Sequence, residues 1–311
     1  MPTLLPRIAN DDEFDRLRDD EALWQPAMAE IATRHGLAGP TRLFPTGSAV
    51  VFAIGDDHVG KLHEPWHREH FDTEAACLRG LHGRLPVASP ELVATGELEG
   101  WTYLVMSRVP GEPLSEVRDQ VDPADLVEIA RQTAELARAV QAVAPPSGFS
   151  PFLPWNEFIA QQRAGCVQRH RANGLPAALV DTLEEQLAGV DLSTDAPVLL
   201  HTELTDTNLM VARSDEGWRL SGVFDFEPSM LGHPLYDLPA ITMFVAHGDP
   251  AACRAALTVF GAGGLDDDLR RRLLACTLLH RYSNLAFFLR QVGVDGYPPD
   301  WPGIAEALLG F

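Results

Sequence analysis

The sequence predicts an α+β fold with two lobes: an N-terminal lobe of antiparallel sheet with helices, and a larger, mostly helical C-terminal lobe. A chain of 311 residues exceeds the usual size of one compact core, so two lobes that share a cleft are expected. Residues 42–65 alternate short β-branched and aromatic runs with turn residues, which is typical of a strand meander. From Asp122 onward, apolar residues recur mainly at helical spacing.

The N-terminal lobe is predicted to span residues 1–107. Its first part, Asp11 to His35, places apolar residues at helical spacing. Two turn sequences, at 46–48 and 55–57, divide the following segment into three strands. Lys61 is expected in the third of these strands.

A helix and two further strands complete the predicted N-terminal lobe. The segment FDTEAACLRGLHGRL has helical periodicity and carries Glu74 in its first half. Strands are expected at 91–96 and 101–106. The sequence SRVPGEPL comes next, and its Pro and Gly residues indicate a connection, so we place the lobe boundary there.

The C-terminal lobe, residues 108–311, is predicted to consist of helices around two short β elements. The run PADLVEIARQTAELARAVQAV places its aliphatic residues on one face, as a core helix does. Further helices are expected at 156–168 and 176–187. An apolar strand at 198–200 precedes a hairpin formed by LMVAR and RLSGVFDF.

Composition excludes several classes of protein. The formal charge of −20 opposes nucleic-acid binding, which needs basic patches, and it suits a cationic ligand. No apolar run approaches the roughly 20 residues that cross a bilayer, and the N-terminus lacks the layout of a secretory signal. We therefore expect a cytoplasmic monomer or homodimer without a membrane partner. The four cysteines are widely spaced in apolar helical runs, which favours buried free thiols.

Lys61 is the single lysine among 24 basic residues. In a chain that otherwise uses arginine, a retained lysine indicates a position that needs a compact ammonium group. Chance is the alternative, so the neighbours of Lys61 must support a role. Glu74 on the next helix is placed to pair with it, although such a pair alone is usually a surface ion pair.

The most specific pattern is VLLHTELTDTNLMV followed by GVFDFEPSMLGHPLYDLP. His201, Glu203 and Asn208 form H-x-E-x-x-x-x-N directly after a strand. Asp225 follows Asn208 by 17 residues in an apolar hairpin, and Asp237 comes after a His-Pro pair. Phosphoryl transfer needs a cation on the phosphates, metal ligands and a group that orients the acceptor hydroxyl, and the chain has a candidate for each.

This pattern resembles the catalytic and metal-binding segments of aminoglycoside phosphotransferases, which read H-G-D-x-x-x-x-N, then I-D-F or I-D-W, then D-P-x-x-D-L. The resemblance implies a protein-kinase-like fold and an O-phosphotransferase that uses ATP or GTP together with Mg²⁺. The opening segment and the sequence around Lys61 look like hygromycin B phosphotransferases of actinomycetes. The similarity therefore extends over most of the chain.

The resemblance also implies roles for individual residues. Asn208 and Asp225 would bind magnesium and the phosphates, and Glu203 stands where the family keeps its catalytic aspartate. His201 would tie the catalytic loop to the metal-binding hairpin, and Asp237 would support that loop from below. The residues implied in nucleotide binding are Lys61, Glu74, Gly47, Ser48, Ser107 and Val109.

Three acidic residues raise questions about this assignment. Glu203 carries its carboxylate one methylene further out than aspartate, and a displacement of about 1 Å can cost on the order of a hundredfold in rate. Phosphoryl transfer nevertheless depends mainly on positioning and metal electrostatics, so a glutamate can serve. Asp206 offers a second carboxylate in the same loop, although a turn-forming role is favoured. Glu227 replaces a glycine common in the family and is expected to support the site indirectly or to face solvent, with a metal role left open.

Several other polar residues are interpreted as ordinary surface or core positions. His63, His67 and His70 share no ligand geometry with a nearby Cys or Asp pair and are expected to be exposed. Arg281 and Tyr282 could line the acceptor cleft, but packing or surface roles are favoured.

The sequence thus favours a kinase that phosphorylates a hydroxyl of an antibiotic, foremost a cationic aminoglycoside or aminocyclitol such as hygromycin B. A nucleoside antibiotic or another hydroxylated metabolite is the alternative acceptor. A nucleotide-binding protein that lost its activity at Glu203 is a further alternative, opposed by the presence of Lys61, Asn208 and Asp225. Dinucleotide-dependent oxidoreductases and P-loop NTPases are excluded because neither G-x-G-x-x-G nor G-K-[ST] occurs.

Overall fold

The structure is a computed structural model that describes residues 3–45, 47–149, 153–261 and 266–311. Within these ranges, none of the helices has both the length and the apolar character that are needed to cross a membrane. The predicted α+β class is confirmed: an antiparallel sheet lies in the N-terminal part, and helices dominate the rest.

The N-terminal part is a five-stranded sheet with two helices before its first strand and one helix between its third and fourth strands. Lys61 pairs with Val51 on one side and with Leu104 on the other, so its strand is the middle one. The strand order is β1-β2-β3-β5-β4, and every pair is antiparallel. The elements are α1 (Asp11–Leu17), α2 (Glu21–Arg34), β1 (Thr41–Leu43), β2 (Val50–Ile54), β3 (His58–His63), α3 (Arg68–Leu81), β4 (Leu92–Leu98) and β5 (Trp101–Ser107).

The opening segment contains two helices where the sequence predicts one. The chain leaves α1 after Leu17 and enters α2 at Glu21. The indole N–H of Trp24 donates to the carbonyl of Leu17 at 3.0 Å, and Trp24 is fully buried. This hydrogen bond gives the buried indole N–H a partner and holds the first turn of α2 against the end of α1.

The C-terminal part is mainly helical. The predicted core helix is confirmed as α5, with Ile129, Leu136 and Val140 fully buried. The predicted helix at 176–187 is divided into two short helices. The elements are β6 (Glu112–Pro113), α4 (Leu114–Val117), α5 (Pro123–Ala142), α6 (Trp155–Ala172), α7 (Ala177–Val180), α8 (Leu183–Leu187), β7 (Val198–Leu200), β8 (Leu209–Ser214), β9 (Gly217–Val223), β10 (Met230–Gly232), α9 (Leu238–Ala240), α10 (Pro250–Val259), α11 (Asp267–Leu278), α12 (Leu285–Gln291) and α13 (Trp301–Leu309).

Two small antiparallel sheets in the C-terminal part position the loops of interest. β6, β8 and β9 form one sheet, and β7 pairs with β10 in the other. The loop 201–208 connects β7 to β8, and the loop 224–229 connects β9 to β10. Because each loop joins the same two sheets, the two loops lie side by side.

The cysteines behave as the sequence predicts. Cys77, Cys166, Cys253 and Cys276 lie in α3, α6, α10 and α11, and all four are buried free thiols. Burial raises the pKa of each thiol well above its ordinary value, to about 11 or 12. They are therefore core residues without nucleophilic character at neutral pH.

Candidate active site

Lys61 lies at the centre of a cluster of three carboxylates. Its Nζ is 2.9 Å from Oε2 of Glu74, 2.8 Å from Oδ1 of Asp225 and 2.8 Å from Oε2 of Glu227. The lysine is only 5% exposed. The structure therefore brings together three residues that the sequence predicts for the site, and it adds Glu227.

The lysine and its acidic neighbours stabilise one another's charged forms. Burial lowers the pKa of Lys61, but Asp225, Glu227 and Glu74 outweigh that effect and hold the pKa well above its usual value. Burial raises the pKa of Glu227, but Lys61 and His70 hold it well below its usual value. The pKa of Asp225 lies above its usual value, because burial and two neighbouring glutamates raise it by more than Lys61 lowers it. Three carboxylates around one ammonium leave surplus negative charge, which suits a divalent cation.

His63 lies inside the site, contrary to the expectation of solvent exposure. Glu227 lies there as well, which fits the expectation that it supports the site and not the alternative of solvent exposure. Nδ1 of His70 is 3.1 Å and Nδ1 of His63 is 3.7 Å from the Glu227 carboxylate. The His63 side chain is 1% exposed, and its Nε2 is 3.5 Å from Glu74. Side chains two residues apart on a strand share a face, so β3 points His63 the same way as Lys61. That periodicity is the sequence signal that could have identified His63.

His201 ties the loop 201–208 to the loop after β9. Its Nε2–H donates to the carbonyl of Phe224 at 3.1 Å, and its Nδ1 accepts from the backbone N–H of Glu203 at 3.3 Å. Burial lowers the pKa of His201 to about 4, so the ring is neutral. A neutral ring in one tautomer can donate and accept at once, as this bridge requires.

Asp237 anchors the same loop from the opposite side. It is fully buried; its Oδ1 accepts from the backbone N–H of Thr202 at 2.8 Å, and its Oδ2 accepts from Nε2 of Gln141 at 3.0 Å. Thr202 has a φ of 70°, a left-handed conformation that costs a non-glycine residue energy and persists only where neighbours hold it. No sequence signal distinguishes Gln141 from the other polar residues of α5.

Asn208 and Asp225 are both oriented by the backbone. Nδ2 of Asn208 donates to the carbonyl of Glu203 at 3.1 Å, so its amide oxygen is the atom that can bind a cation. The backbone carbonyl of Asn208 accepts from the N–H of Phe224, which fixes the start of the Asp225 loop. Asp225 has a φ of 65°, and strained backbone of this kind clusters at functional sites.

Glu203 is half-buried beside this cluster. Burial and, less strongly, the charge of Asp225 raise its pKa to about 7, although Arg281 opposes both. The side chain of Tyr282 hydrogen-bonds to Glu203, although Tyr282 is 56% exposed. Arg281 donates to the carbonyl of Pro228 at 2.6 Å, within the loop after β9. Both residues thus lie at the site, where the sequence favoured packing or surface roles.

The comparison with known proteins assigns the chain to a family. The sequence profile of the phosphotransferase enzyme family, APH, matches residues 42–274. The chain belongs to this family. The resemblance deduced from the motif is therefore confirmed.

Individual phosphotransferases resemble the chain over different lengths. Viomycin phosphotransferase of Streptomyces vinaceus is 30% identical over 179 residues, which cover 54% of this chain and 60% of that protein. The aminoglycoside phosphotransferase APH(2'')-IIIa, solved with GDP and kanamycin, superposes with a TM-score of 0.70 at 19% identity, covering 85% of this chain and 92% of that one. Macrolide 2'-phosphotransferase MphH of Brachybacterium faecium superposes with a TM-score of 0.59 at 22% identity, covering 91% of this chain and 97% of that one. The two superpositions confirm the kinase-like fold.

Asp206 forms a separate ion pair outside the Lys61 cluster. Its Oδ2 is 3.6 Å from Nε of Arg118 and 3.9 Å from Nε2 of His247. The backbone carbonyl of Asp206 also accepts from the N–H of Ser115 at 3.1 Å. These contacts support the structural role that the sequence favours for Asp206.

The remaining residues predicted for nucleotide binding lie at the edges of the sheet. Gly47 and Ser48 are exposed in the loop between β1 and β2, and Gly47 has a φ of 117°, which suits glycine. Ser107 ends β5, and its backbone N–H already donates to the carbonyl of Glu91. Val109 is 8% exposed. Their roles stay predictions from the resemblance.

Proposed function

We propose that the protein transfers the γ-phosphoryl group of ATP or GTP to a hydroxyl group of an antibiotic. The observation that carries this proposal is the convergence of Lys61 and Asp225 at 2.8 Å, with Glu203 and Asn208 in the adjoining loop. Family membership supports the reaction type, and the GDP complex of a related structure supports a nucleoside triphosphate as donor.

The residues present fit Mg²⁺. Asp225 and the amide oxygen of Asn208 are the hard oxygen donors that this ion prefers, and the carboxylates around Lys61 provide negative charge. When bound, Mg²⁺ neutralises charge that develops on the phosphates during transfer. Asp225 and Asn208 would hold it, because both are oriented by the backbone at the mouth of the Lys61 cluster.

The chain's own residues supply binding, positioning and proton transfer. Lys61 would bind the phosphates as a point charge, with Glu74 fixing its direction at 2.9 Å. Glu203 would accept the proton of the acceptor hydroxyl, and its raised pKa makes it a better base than an ordinary carboxylate. His201 and Asp237 would hold the Glu203 loop in place through the hydrogen bonds described above.

The acceptor we propose is a hydroxylated, cationic antibiotic of the aminoglycoside or aminocyclitol class, of which hygromycin B is one member. The formal charge of −20 favours a cation. Two related proteins are named for viomycin and macrolides, and a third was solved with kanamycin. A nucleoside antibiotic or another hydroxylated metabolite is the second candidate acceptor, because the proposed base, Glu203, needs only a hydroxyl group from which to take a proton.

The test is nucleotide consumption by the purified protein with MgATP or MgGTP across aminoglycoside, nucleoside and peptide antibiotics, with products identified by mass spectrometry. We expect phosphorylation of at least one compound by the wild type and loss of turnover in Asp225→Asn. Asp206→Asn is the matched control, since it neutralises a carboxylate outside the Lys61 cluster. Nucleotide binding without phosphorylation of any compound, cell-extract metabolites included, would mean that the protein is not a kinase.

A further inference from the structure

A second cluster of metal-binding side chains lies at the start of α3, on the far side of Glu227 from Lys61. His67, Glu69 and His70 each offer a ligand atom, and these atoms all lie within 4.8 Å of one another. The two imidazole rings are stacked, with centroids 4.8 Å apart and an angle of 10° between their planes. Two imidazoles and a carboxylate are the donor set that zinc prefers in sites with an open position.

Each imidazole in this cluster faces a carboxylate that can orient it. Nε2 of His67 is 3.3 Å from Oδ1 of Asp11, and Nδ1 of His70 is 3.1 Å from Oε1 of Glu227. Histidines that bind metals almost always use the second ring nitrogen in this way, because the carboxylate fixes the tautomer and raises the basicity of the ligand. The cluster therefore has two orienting carboxylates in addition to its three ligands.

The local charge also favours a cation. The N-terminus of α3 carries roughly half a positive charge, which opposes a metal ion. Asp11, Glu69 and Glu227 together bring three negative charges to the two histidines, so the carboxylates outweigh the helix dipole.

We propose that His67, Glu69 and His70 bind a divalent transition-metal ion of the zinc class, with Asp11 and Glu227 orienting the two rings. Tetrahedral ligand atoms at the usual zinc distances lie about 3.4 Å apart. The side chains need to converge by up to about 1.4 Å, and the stacked rings must rotate, because an imidazole binds a metal ion in the plane of its ring. Their exposed fractions of 33%, 46% and 30% leave them room to do so. Mg²⁺ is not the expected occupant because it prefers oxygen ligands in octahedral geometry.

The proposed site would connect elements that are far apart in the sequence. Asp11 begins α1, whereas both histidines belong to the start of α3. A bound ion would therefore act on the N-terminal helix only through the contact of Asp11 with His67. This inference is independent of the proposed function, since it requires neither a nucleotide nor an acceptor.

The experiment is a titration of the full-length, EDTA-washed protein with Zn²⁺ by calorimetry, with excess Mg²⁺ present to occupy oxygen-rich sites. Co²⁺ serves as a spectroscopic substitute, because its visible absorption reports four-coordinate geometry. We expect one Zn²⁺ per chain, a higher Tm with Zn²⁺, and at least about a tenfold loss of affinity in His67→Ala, His70→Ala and Glu69→Gln.

His82→Ala is the matched control, because His82 follows the opposite end of α3 and is exposed. Its zinc affinity should equal that of the wild type. Circular dichroism would establish that each variant is folded, and Glu69→Gln preserves the shape of the side chain. Absence of stoichiometric zinc binding, or unchanged affinity in both histidine variants, would overturn the proposal.

Discussion

Nζ of Lys61 lies 2.8 Å from the carboxylate of Glu227, which comes from the loop after β9. The lysine therefore has a third acidic partner besides Glu74 and Asp225. Glu227 itself contacts His70 at 3.1 Å, so α3 and the loop after β9 are connected through Lys61 and through this histidine.

Replacing Lys61 with methionine should destabilise the protein and abolish phosphoryl transfer. Removal of one partner from a buried ion pair typically costs about 3–5 kcal/mol, since the remaining charges are left uncompensated. We expect a loss of this size in the free energy of unfolding, measured by urea denaturation without divalent cations. Lys61→Arg should recover part of the stability but little activity, because a planar guanidinium cannot replace a compact ammonium among three carboxylates.

Arg34→Met is the control for this experiment. Arg34 pairs with Glu30 at 2.8 Å, but both side chains are more than one-third exposed. Exposed pairs contribute about 0.2–1 kcal/mol, so this variant should unfold almost as the wild type does. If Lys61→Met proved as stable as Arg34→Met, the buried ion pairs of Lys61 would not stabilise the protein.

Glu203→Gln should slow phosphoryl transfer without weakening nucleotide binding. The amide has the shape of the glutamate but cannot accept the acceptor's proton, and general-base catalysis typically contributes a factor of about 100 to 10,000. We expect kcat to fall by at least about 100-fold, with the nucleotide Kd unchanged within a few-fold. Steady-state kinetics and nucleotide titration measure the two quantities. A variant with wild-type kcat would exclude Glu203 as the base.

Asp206→Asn should leave turnover within a few-fold of the wild type. Its carboxylate faces Arg118 and His247, and Arg118 also donates to the carbonyls of Phe244 and Val245. The substitution should therefore weaken the attachment of the loop, at a cost of about 1–2 kcal/mol in the free energy of unfolding. If its kcat falls as far as that of Glu203→Gln, Asp206 takes part in proton transfer.

Asp237 should make the protein's stability depend on pH below neutrality. Burial raises its pKa from 3.8 to about 6 in the folded protein, although Thr202 and Gln141 donate to it. Folding then favours the protonated carboxyl, so its stabilising contribution is complete below pH 4 and disappears as the pH rises through 6. At about 1.4 kcal/mol per pKa unit, the change is about 3 kcal/mol.

The measurement for Asp237 is the difference in unfolding free energy between the wild type and Asp237→Asn across pH 4–7. Other titrating groups cancel in this difference. The asparagine variant should lose relative stability most at the acid end of the range. A difference that is constant with pH would show that the carboxyl keeps its ordinary pKa.

Local sequence predicts most elements of this fold, because strands and helices have different apolar periods. It fails where a distant contact decides the local conformation. The segment 176–187 has helical character, yet the structure interrupts it at Thr182, whose hydroxyl accepts from the indole N–H of Trp301 at 3.0 Å. Trp301 lies 119 residues further along the chain, beyond the reach of any local pattern.

The candidate site shows the same division. His201, Asn208 and Asp225 could be predicted because their motif resembles that of aminoglycoside phosphotransferases, and the small sheets place the two loops that carry them side by side. Gln141 could not, since its contact with Asp237 depends on tertiary packing. The sequence left both a supporting role and solvent exposure open for Glu227, because its contact with Lys61 depends on the same packing. His63 lies between these cases, because it shares a strand face with Lys61.

The single lysine offers a spectroscopic consequence. A sample grown with lysine that carries ¹⁵N only at Nζ is labelled at one atom, which contacts Glu74 of α3 and Asp225 of the loop after β9. One NMR resonance, assigned without any further experiment, would thus report whether the two elements stay together or move apart as nucleotide is added.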